Sequence, residues 1–454
     1  VPERAALLKH LRATLPRYMV PDYYVVLDEL PMLPNGKVDR RQLQAPRKSD
    51  LVAERRYIAP QTQLERDLIA DLEEVLQLNG IGAEDSFVAL GGDSLSYVSM
   101  QMSLERRLGA LPQDWGELSV RELAGLGVSE GKVRMLDTCI AIRAAAIMII
   151  VAGHADFFSF ARGSTGALFL VTGFLLAKLQ LPQILQRASS KPLLSLVGKI
   201  VLPVMAYTAA VSCVGALPHY SNFLMAANLF TMPARGIEPH IWYVHALLQM
   251  LLMYALLFSF APVRSWLEKN PFRFCVVVFL VAAAVRMGSP HFFALLQDPL
   301  SIAQGHPVHR LPTTHFATLA LGMCMYFSST AWQKFLTLGL LLGYWLVSEF
   351  FLGAPVTIML LFGAVLVFFR EIPTLDSIKR VAYVLAASSL FIYLTQFIWV
   401  KALRIVGIDL GSHGLETLLS LAGGVAAWFC WNRLRHLLNV LRKQREEPLG
   451  IEAV

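Results

Sequence analysis

The chain has 454 residues, of which 55% are hydrophobic and 16% are charged. This hydrophobic excess excludes a wholly soluble, a disordered or a fibrous protein. Residues 1–135 carry 17 Lys and Arg against 20 Asp and Glu, net −3, whereas residues 136–454 carry 23 against 13, net +10. Because the basic residues of the second part lie between long apolar runs, they indicate membrane topology rather than binding to nucleic acid.

Residues 1–48 are predicted to form a small α+β segment. A helical stripe of leucines stops at Pro16, residues 23–27 are prone to form a strand, and Pro34-Asn35-Gly36 indicates a turn. The phrases LPRYMVP at 15–21 and LPMLPNGKVDR at 30–40 resemble the C-terminal end of an adenylation domain of nonribosomal peptide synthetases.

The resemblance implies that Lys37 contacts the carboxylate and phosphate of an acyl-adenylate, which suits a compact charge on a flexible stem. An ordinary turn lysine is the alternative. Since most of such a domain is absent from the sequence, we expect no adenylation by this chain alone. An adenylation core supplied elsewhere or upstream is therefore an expected partner.

Residues 50–127 are predicted to form a four-helix bundle. Apolar residues recur at helical spacing from Leu64 to Leu76, and Ser119 with Glu122 indicates a capping box. The stretch DSFVALGGDSL at 85–95 resembles the peptidyl carrier protein family. That resemblance implies covalent 4′-phosphopantetheine on Ser94, with Asp93 beside it in the site, and a phosphopantetheinyl transferase as a partner. The alternative is that Ser94 only caps a helix.

The predicted carrier segment is acidic, with net charge −8 over residues 51–131. We expect it to dock on the basic residues of the inner loop between the second and third membrane spans: Lys178, Arg187, Lys191 and Lys199. The short linker at 127–135 should keep the carrier close to the membrane. The alternatives are a plain solvated surface and basic residues that only set topology.

Residues 136–440 are predicted to form a polytopic membrane bundle of about ten spans. The apolar segments lie near 136–157, 164–182, 193–216, 241–262, 272–288, 313–328, 333–352, 354–369, 381–400 and 413–432. With both termini and the carrier domain cytosolic, the inner loops hold 11 Lys and Arg and the outer loops 6, and the C-terminal basic residues 433–445 also fall inside. The predicted fold class is thus mainly α, and the predicted location is the bacterial cytoplasmic membrane.

The first predicted span contains Arg143 and His154, which are both costly in lipid and are candidates for function. Their spacing of eleven residues places them on one face of a helix, roughly 16 Å apart along its axis. A structural buried arginine and a satisfied core histidine are the alternatives. No pair of the five cysteines has the spacing of metal ligands, so no metal site is expected.

The phrase IRAAAIMIIVAGH at 142–154 resembles the opening helix of the integral-membrane acyltransferase-3 family. Later phrases resemble its further helices in order: FLVTGFLL at 169–176, KIVLP at 199–203, HIWYV at 240–244 and SLFIYLTQF at 389–397. The resemblance implies His154 as the base that activates an acceptor, with Arg143 needed nearby. Thr172, Lys199 and Gln396 depart from the usual family residues. Because Gln396 stands where many members have histidine, no second base is expected there.

The order of segments predicts a membrane acyltransferase. It would take an acyl or aminoacyl group from the arm on Ser94 and transfer it to a hydroxyl or amine of a glycan, lipid or small amine, with His154 as general base. Arg143 would orient the arm or the acyl group. A terminal amide-forming step is a rival. A membrane anchor or exporter without its own chemistry is another, but an anchor needs neither Arg143 nor His154, and an exporter would more often show internal repeats.

Overall fold

The computed structural model describes residues 57–127, 135–157, 163–213, 241–300, 310–351, 356–405 and 410–446, together with positions 31–32, 38–39, 43, 225 and 407–408. Near the N-terminus, Met32 and Val38 form an isolated antiparallel bridge on either side of the predicted turn. Lys37, the residue predicted for an adenylation remnant, lies outside the described residues.

Residues 57–127 form a small bundle with three α-helices: α1 Gln63–Leu76, α2 Ser96–Leu108 and α3 Val120–Gly125. The predicted apolar spacing buries one face of α1, and capping boxes begin α1 at Thr62 and α3 at Ser119. The sequence predicts four helices, and residues 57–127 contain three α-helices joined by turns. In the turn before α2, Gly91 has φ +93°, and a Cβ on Gly92 would lie 2.3 Å from the ring of Phe87, so both positions favour glycine.

Aromatic packing holds this turn region on the small bundle. The ring of Trp115 lies 5.1 Å from that of Phe87 and 5.2 Å from that of Tyr97, and each of the three side chains is about 1% exposed. Such buried aromatic contacts contribute strongly to a small core. The segment from Phe87 to Tyr97, which contains Ser94, is therefore anchored at both ends.

Residues 135–446 form a large body with twelve α-helices among its described residues. Their bounds are α4 Thr138–His154, α5 Ser164–Leu175, α6 Leu181–Arg187, α7 Lys191–Cys213, α8 Trp242–Leu257, α9 Ala261–Lys269, α10 Pro271–Leu300, α11 Pro312–Phe327, α12 Ala331–Leu346, α13 Thr357–Phe368, α14 Asp376–Ile405 and α15 His413–Glu446. Leu176–Gln180 and Val347–Phe351 are π-helical turns. Two short strands, β1 Met135–Asp137 and β2 Glu371–Pro373, pair antiparallel, with Leu136 opposite Ile372.

The centre of the large body is built by α4, α5, α11 and α14. Helix α14 packs on α4 and α15, α4 packs on α5, and α5 packs on α11. A Cβ on Gly173 in α5 would lie 1.9 Å from the carbonyl oxygen of Leu319, and one on Gly322 in α11 would lie 2.0 Å from that of Leu170. The two backbones touch at these glycines, as they do where small residues mediate helix packing in membranes.

Among the described residues, five helical segments are long and apolar enough to cross a membrane, or six if α8 and α9, which meet at a 93° bend, form one broken span. The five are Ser164–Arg187, Lys191–Val211, Pro271–Gly288, Asp376–Arg404 and His413–Leu438. Each of the ten predicted apolar segments contains a helix, but α4, α11, α12 and α13 have only 12 to 17 residues. Helices of that length rise less than the roughly 30 Å of a bilayer core, so a count of about ten spans is not confirmed.

Candidate functional site between the small bundle and the large body

Ser94 lies in the turn immediately before α2. The Oδ1 atom of Asp93 accepts hydrogen bonds from the backbone N–H groups of Leu95 and Ser96, each at 3.0 Å. Asp93 therefore caps α2, and the capping role considered for Ser94 belongs to its neighbour. Ser94 is 7% exposed because the large body covers it.

Side chains of the large body hold the backbone of this turn. Arg143 Nη1 donates to the carbonyl oxygen of Ser94 at 2.7 Å, and Gln183 Nε2 donates to that of Gly92 at 2.9 Å. Arg187 Nη2 donates to the carbonyl oxygen of Ala89 at 3.0 Å. Three donors, from α4 and α6, thus fix residues 89–94 against the large body.

Charged contacts surround these hydrogen bonds. Lys199 in α7 forms an ion pair with Asp93. On the other side of α2, Glu105 accepts a hydrogen bond from Tyr383 Oη at 2.7 Å and pairs with Lys379 Nζ at 2.6 Å. Both Glu105 and Lys379 are less than one-fifth exposed, so this pair is only weakly screened by solvent.

Tyr97 links the small bundle to the start of the large body. Its hydroxyl accepts a hydrogen bond from Lys178 Nζ at 2.7 Å and donates one to Asp137 Oδ2 at 3.1 Å. Burial, followed by the charge of Asp137, raises the pKa of Tyr97, so the phenol stays protonated and can donate.

Of the four basic residues predicted to dock the acidic bundle, Lys178, Arg187 and Lys199 contact it. They do not share one loop. Lys178 lies in the π-helical turn after α5, Arg187 ends α6, and Lys199 lies within α7. The side chain of Lys191, at the start of α7, is exposed.

A narrow cavity begins at Ser94 and enters the large body. Arg143, Thr172, Tyr243, Ser389 and Tyr393 supply its polar lining, and leucine, isoleucine and valine side chains supply the rest. Arg143 Nε donates to Ser389 Oγ at 2.9 Å, which fixes the guanidinium at the cavity entrance. The cavity has about 40 Å³, room for only a few water molecules at roughly 10–15 Å³ each. A long flexible group could enter only if lining side chains moved.

His154 is the last residue of α4 and is exposed. Its Nδ1 atom lies 3.0 Å from Gln396 Oε1. Gln396 Nε2 donates to the carbonyl oxygen of Tyr393 at 3.1 Å, which orients the amide so that its oxygen faces the imidazole. The amide oxygen can only accept, so Nδ1 carries the proton in the neutral ring and Nε2 is the basic nitrogen.

The two candidate residues of α4 are therefore not brought together. Arg143 touches Ser94, whereas His154 lies at the other end of the helix, as their spacing in the sequence predicts. Sequence reasoning missed two groups at the Ser94 end. Gln183 carries no charge or motif that would mark it, and Arg435 in α15, which interacts electrostatically with Asp93, belongs to a C-terminal basic run interpreted only as a topology signal.

Residues 66–125, which include Ser94, match a family described as "Phosphopantetheine attachment site". The chain carries a phosphopantetheine attachment domain. The small bundle is hereafter the carrier domain, and its cofactor is 4′-phosphopantetheine, bound covalently through a serine. The matched residues lie within the predicted carrier boundaries of 50 and 127.

Curated relatives of this carrier domain are synthases much longer than this chain. The chain is 47% identical over 91 residues to tyrocidine synthase 3 of Brevibacillus parabrevis, covering 20% of this chain and 1% of that protein. It is 38% identical over 127 residues to tyrocidine synthase 2 of the same organism, covering 27% and 4%. It is 43% identical over 108 residues to a dimodular nonribosomal peptide synthase of Bacillus subtilis (strain 168), covering 24% and 4%.

The chain thus spans only a few per cent of the length of these relatives. No solved structure matches it. The carrier domain is of the nonribosomal peptide synthetase type. The resemblance of residues 136–440 to acyltransferase-3 enzymes stays a prediction.

Proposed function

We propose that the chain is a membrane acyltransferase that takes an acyl or aminoacyl thioester from an arm on Ser94 and transfers it to a hydroxyl or amine acceptor. One observation carries the proposal: Ser94 lies at the entrance of a cavity in the large body, with its carbonyl oxygen bound by Arg143. A domain that served only as an anchor would not need to receive the attachment serine at a polar cavity. The contact instead suits delivery of the arm into the large body.

The proposed chemistry begins at His154. Its Nε2 takes the proton from the acceptor as the acceptor oxygen or nitrogen attacks the thioester carbonyl carbon. The tetrahedral intermediate collapses with cleavage of the C–S bond, and the departing sulfur of the arm takes the proton from the imidazolium. Gln396 acts as a positioning residue, because its amide holds the tautomer that leaves Nε2 basic.

Arg143 has a different role. Eleven residues along one helix separate it from His154 by roughly 16 Å, too far for both to act on one carbonyl. Its bonds to Ser94 and Ser389 support a role in seating the carrier domain and orienting the root of the arm. The arm would then extend from Arg143 to His154 and present its thioester near His154.

The surface of the large body supports a membrane location. In three of the candidate spans, in α7, α10 and α15, only 28 to 33% of the residues are buried within the protein, so most of their residues keep exposed surface. Large apolar side chains such as Leu256, Phe335 and Leu418 are more than 60% exposed. Apolar surface of this extent suits a lipid bilayer. We place the carrier domain and both termini on the cytosolic side of a bacterial cytoplasmic membrane.

The relatives favour a carboxylic acid or amino acid as the donor group. One of them is a dimodular nonribosomal peptide synthase, and an adenylation core outside this sequence would charge the arm. In this organisation residues 1–48, with Lys37, are the end of an adenylation domain, 50–127 the carrier and 136–440 the acyltransferase. The acceptor would be a glycan, a lipid or a small amine.

Intact-mass measurement of the carrier domain after cleavage from the purified full chain tests the proposal. Wild type isolated from producing cells should carry the arm with little acyl group, because transfer empties it. His154→Ala should accumulate the acylated arm, and Ser94→Ala should carry none. His436→Ala, which removes an exposed histidine from α15, is the matched control and should behave as wild type. Equal acyl occupancy in His154→Ala and wild type would favour the anchor or exporter.

A further inference from the structure

Three cationic side chains converge on the Asp93–Ser94 corner of the carrier domain. Lys199 pairs with the Asp93 carboxylate, and Arg143 donates to the Ser94 carbonyl oxygen. Arg143 and Arg435 both interact electrostatically with Asp93. They come from α4, α7 and α15, so helices distant in sequence place positive charge around Asp93, next to Ser94.

Asp93 does not balance this charge. Its Oδ1 atom already accepts from the N–H groups of Leu95 and Ser96 and from the hydroxyl of Ser96. Its Oδ2 atom accepts from Lys199. Three cations therefore interact with one carboxylate whose oxygens are both occupied, so an added negative charge at this corner would be stabilised.

Arg435 shows this need most directly. Its Nε–H is buried and has no hydrogen-bond partner among the described residues. A buried charged donor without an acceptor is costly, because it loses water and gains nothing in return. Arg435 therefore points to an acidic acceptor group that joins the site in a working state.

We propose that Arg143, Lys199 and Arg435 form a binding site for the phosphodiester that links the pantetheine arm to Ser94. This inference rests on the part of the proposed function that attaches the arm to Ser94. The phosphodiester brings one negative charge and two free oxygens to Oγ of Ser94, the residue next to Asp93, with which all three cations interact. Guanidinium groups bind such oxygens well, since their N–H groups form a planar fork.

The site gives the large body a way to distinguish carrier states. An unmodified carrier domain leaves Arg435 Nε without an acceptor and three cations around one carboxylate, whereas the phosphodiester of a modified one adds acceptor oxygens and offsets one of the two excess positive charges. Docking therefore tightens after the arm is attached, and the membrane domain prefers carriers that can deliver a group. This preference is independent of which acyl group the arm carries.

Hydrogen exchange of the backbone amides at residues 89–97 tests the site in the full chain. The apo form is prepared without a phosphopantetheinyl transferase and the holo form with one, and mass measurement verifies both. In the wild type, exchange in the holo form should be about tenfold slower than in the apo form, as one added charge-assisted hydrogen bond would produce. Arg435→Gln and Lys199→Gln should each reduce this difference, and the double variant should abolish it.

Two control substitutions each remove one positive charge from a residue outside the Asp93–Ser94 corner. Arg433→Gln changes an exposed arginine two residues away on α15, and Lys191→Gln changes an exposed lysine on α7. Both should keep the full holo–apo difference. Equal exchange in apo and holo wild type, or a difference that survives in the double variant, would overturn the site. Loss of the difference in Arg433→Gln would show general screening and overturn it as well.

This experiment separates the two proposals because it does not require acyl transfer. A normal holo effect without transfer would count against the acyltransferase and leave the phosphodiester site standing. Transfer without a holo effect would do the reverse. A chain that takes no arm on Ser94 would overturn both.

Discussion

The guanidinium of Arg143 binds the carbonyl oxygen of Ser94 at 2.7 Å, although the two residues are 49 positions apart. Its Nε–H donates at the same time to Ser389 Oγ in α14 at 2.9 Å. One side chain therefore joins the first helix of the large body, a late helix and the turn of the carrier domain that contains Ser94, here called the attachment turn. An arginine in such a place serves the contact between the two parts of the protein.

Replacing Arg143 should impair delivery from the carrier domain. Arg143→Ala removes two hydrogen bonds from a charged donor, each worth roughly 1.5–3 kcal/mol, so we expect at least a tenfold slower loss of acyl group from the loaded arm. Arg143→Lys keeps the charge but not the fork and should be intermediate. Ser389→Ala removes one of the bonds and should have the smallest effect. Single-turnover decay of the acylated carrier in the purified chain measures all three, and wild-type decay in Arg143→Ala would contradict the role.

The contact between His154 and Gln396 predicts a graded loss of chemistry. His154→Ala should lower transfer by roughly 10²–10⁴-fold, the usual contribution of a general base. Gln396→Leu removes the acceptor that fixes the imidazole tautomer and should lower the maximal rate by roughly tenfold, in line with the cost of losing a positioning partner. Neither change should affect addition of the arm to Ser94, which mass measurement checks.

A nearby hydroxyl serves as the control for this pair. Ser388 is buried in the same helix, but its hydroxyl donates to the carbonyl oxygen of Val384 within that helix. Ser388→Ala should therefore retain transfer close to wild type. A rate for Gln396→Leu no lower than that of Ser388→Ala would show that the amide does not position His154.

The features of the carrier domain that could be predicted from sequence are those set by local spacing. The apolar period from Leu64 to Leu76 indicates α1, and Ser119 with Glu122 indicates the start of α3. The DSFVALGGDSL phrase locates Ser94. These patterns depend on neighbours within a few residues, where backbone geometry dictates which side chains share a face.

The docked arrangement depends on residues that no local pattern relates. Gln183, Lys199 and Arg435 reach the attachment turn from three different helices, and only packing brings them together. Hydropathy finds the apolar segments, but it does not show that several of their helices have only 12 to 17 residues. Net charge predicts attraction between the two parts, whereas the individual contacts depend on the shapes of both.

The pair formed by Glu105 and Lys379 predicts that reversed charges can be exchanged. Lys379 Nζ and Glu105 Oε2 lie 2.6 Å apart in a largely buried contact. Glu105→Lys or Lys379→Glu alone puts like charges in this contact and should weaken docking. The double exchange restores opposite charges and should recover part of the loss, since the pair would be coupled. Hydrogen exchange of α2 in the intact chain measures docking. If the amides of α2 exchanged as fast in the double variant as in the worse single variant, Tyr383, not the ion pair, would hold Glu105.

The crossing of α5 and α11 at Gly173 and Gly322 predicts a strong effect on stability. A methyl group on Gly173 would meet the carbonyl oxygen of Leu319 at 1.9 Å, and backbone cannot yield as a side chain does. Gly173→Ala should therefore push the helices apart and lower the melting temperature of the detergent-solubilised chain, with a cost of about 1–3 kcal/mol or more, as overpacking gives. Gly322→Ala should do the same, and the two changes together should cost less than their sum, because one separation relieves both clashes.

Gly339→Ala is the matched control, since nothing lies within 4 Å of its Cβ position and alanine favours a helix, so it should be neutral or slightly stabilising. A melting temperature for Gly173→Ala equal to that of Gly339→Ala would show that the two helices do not cross at these glycines.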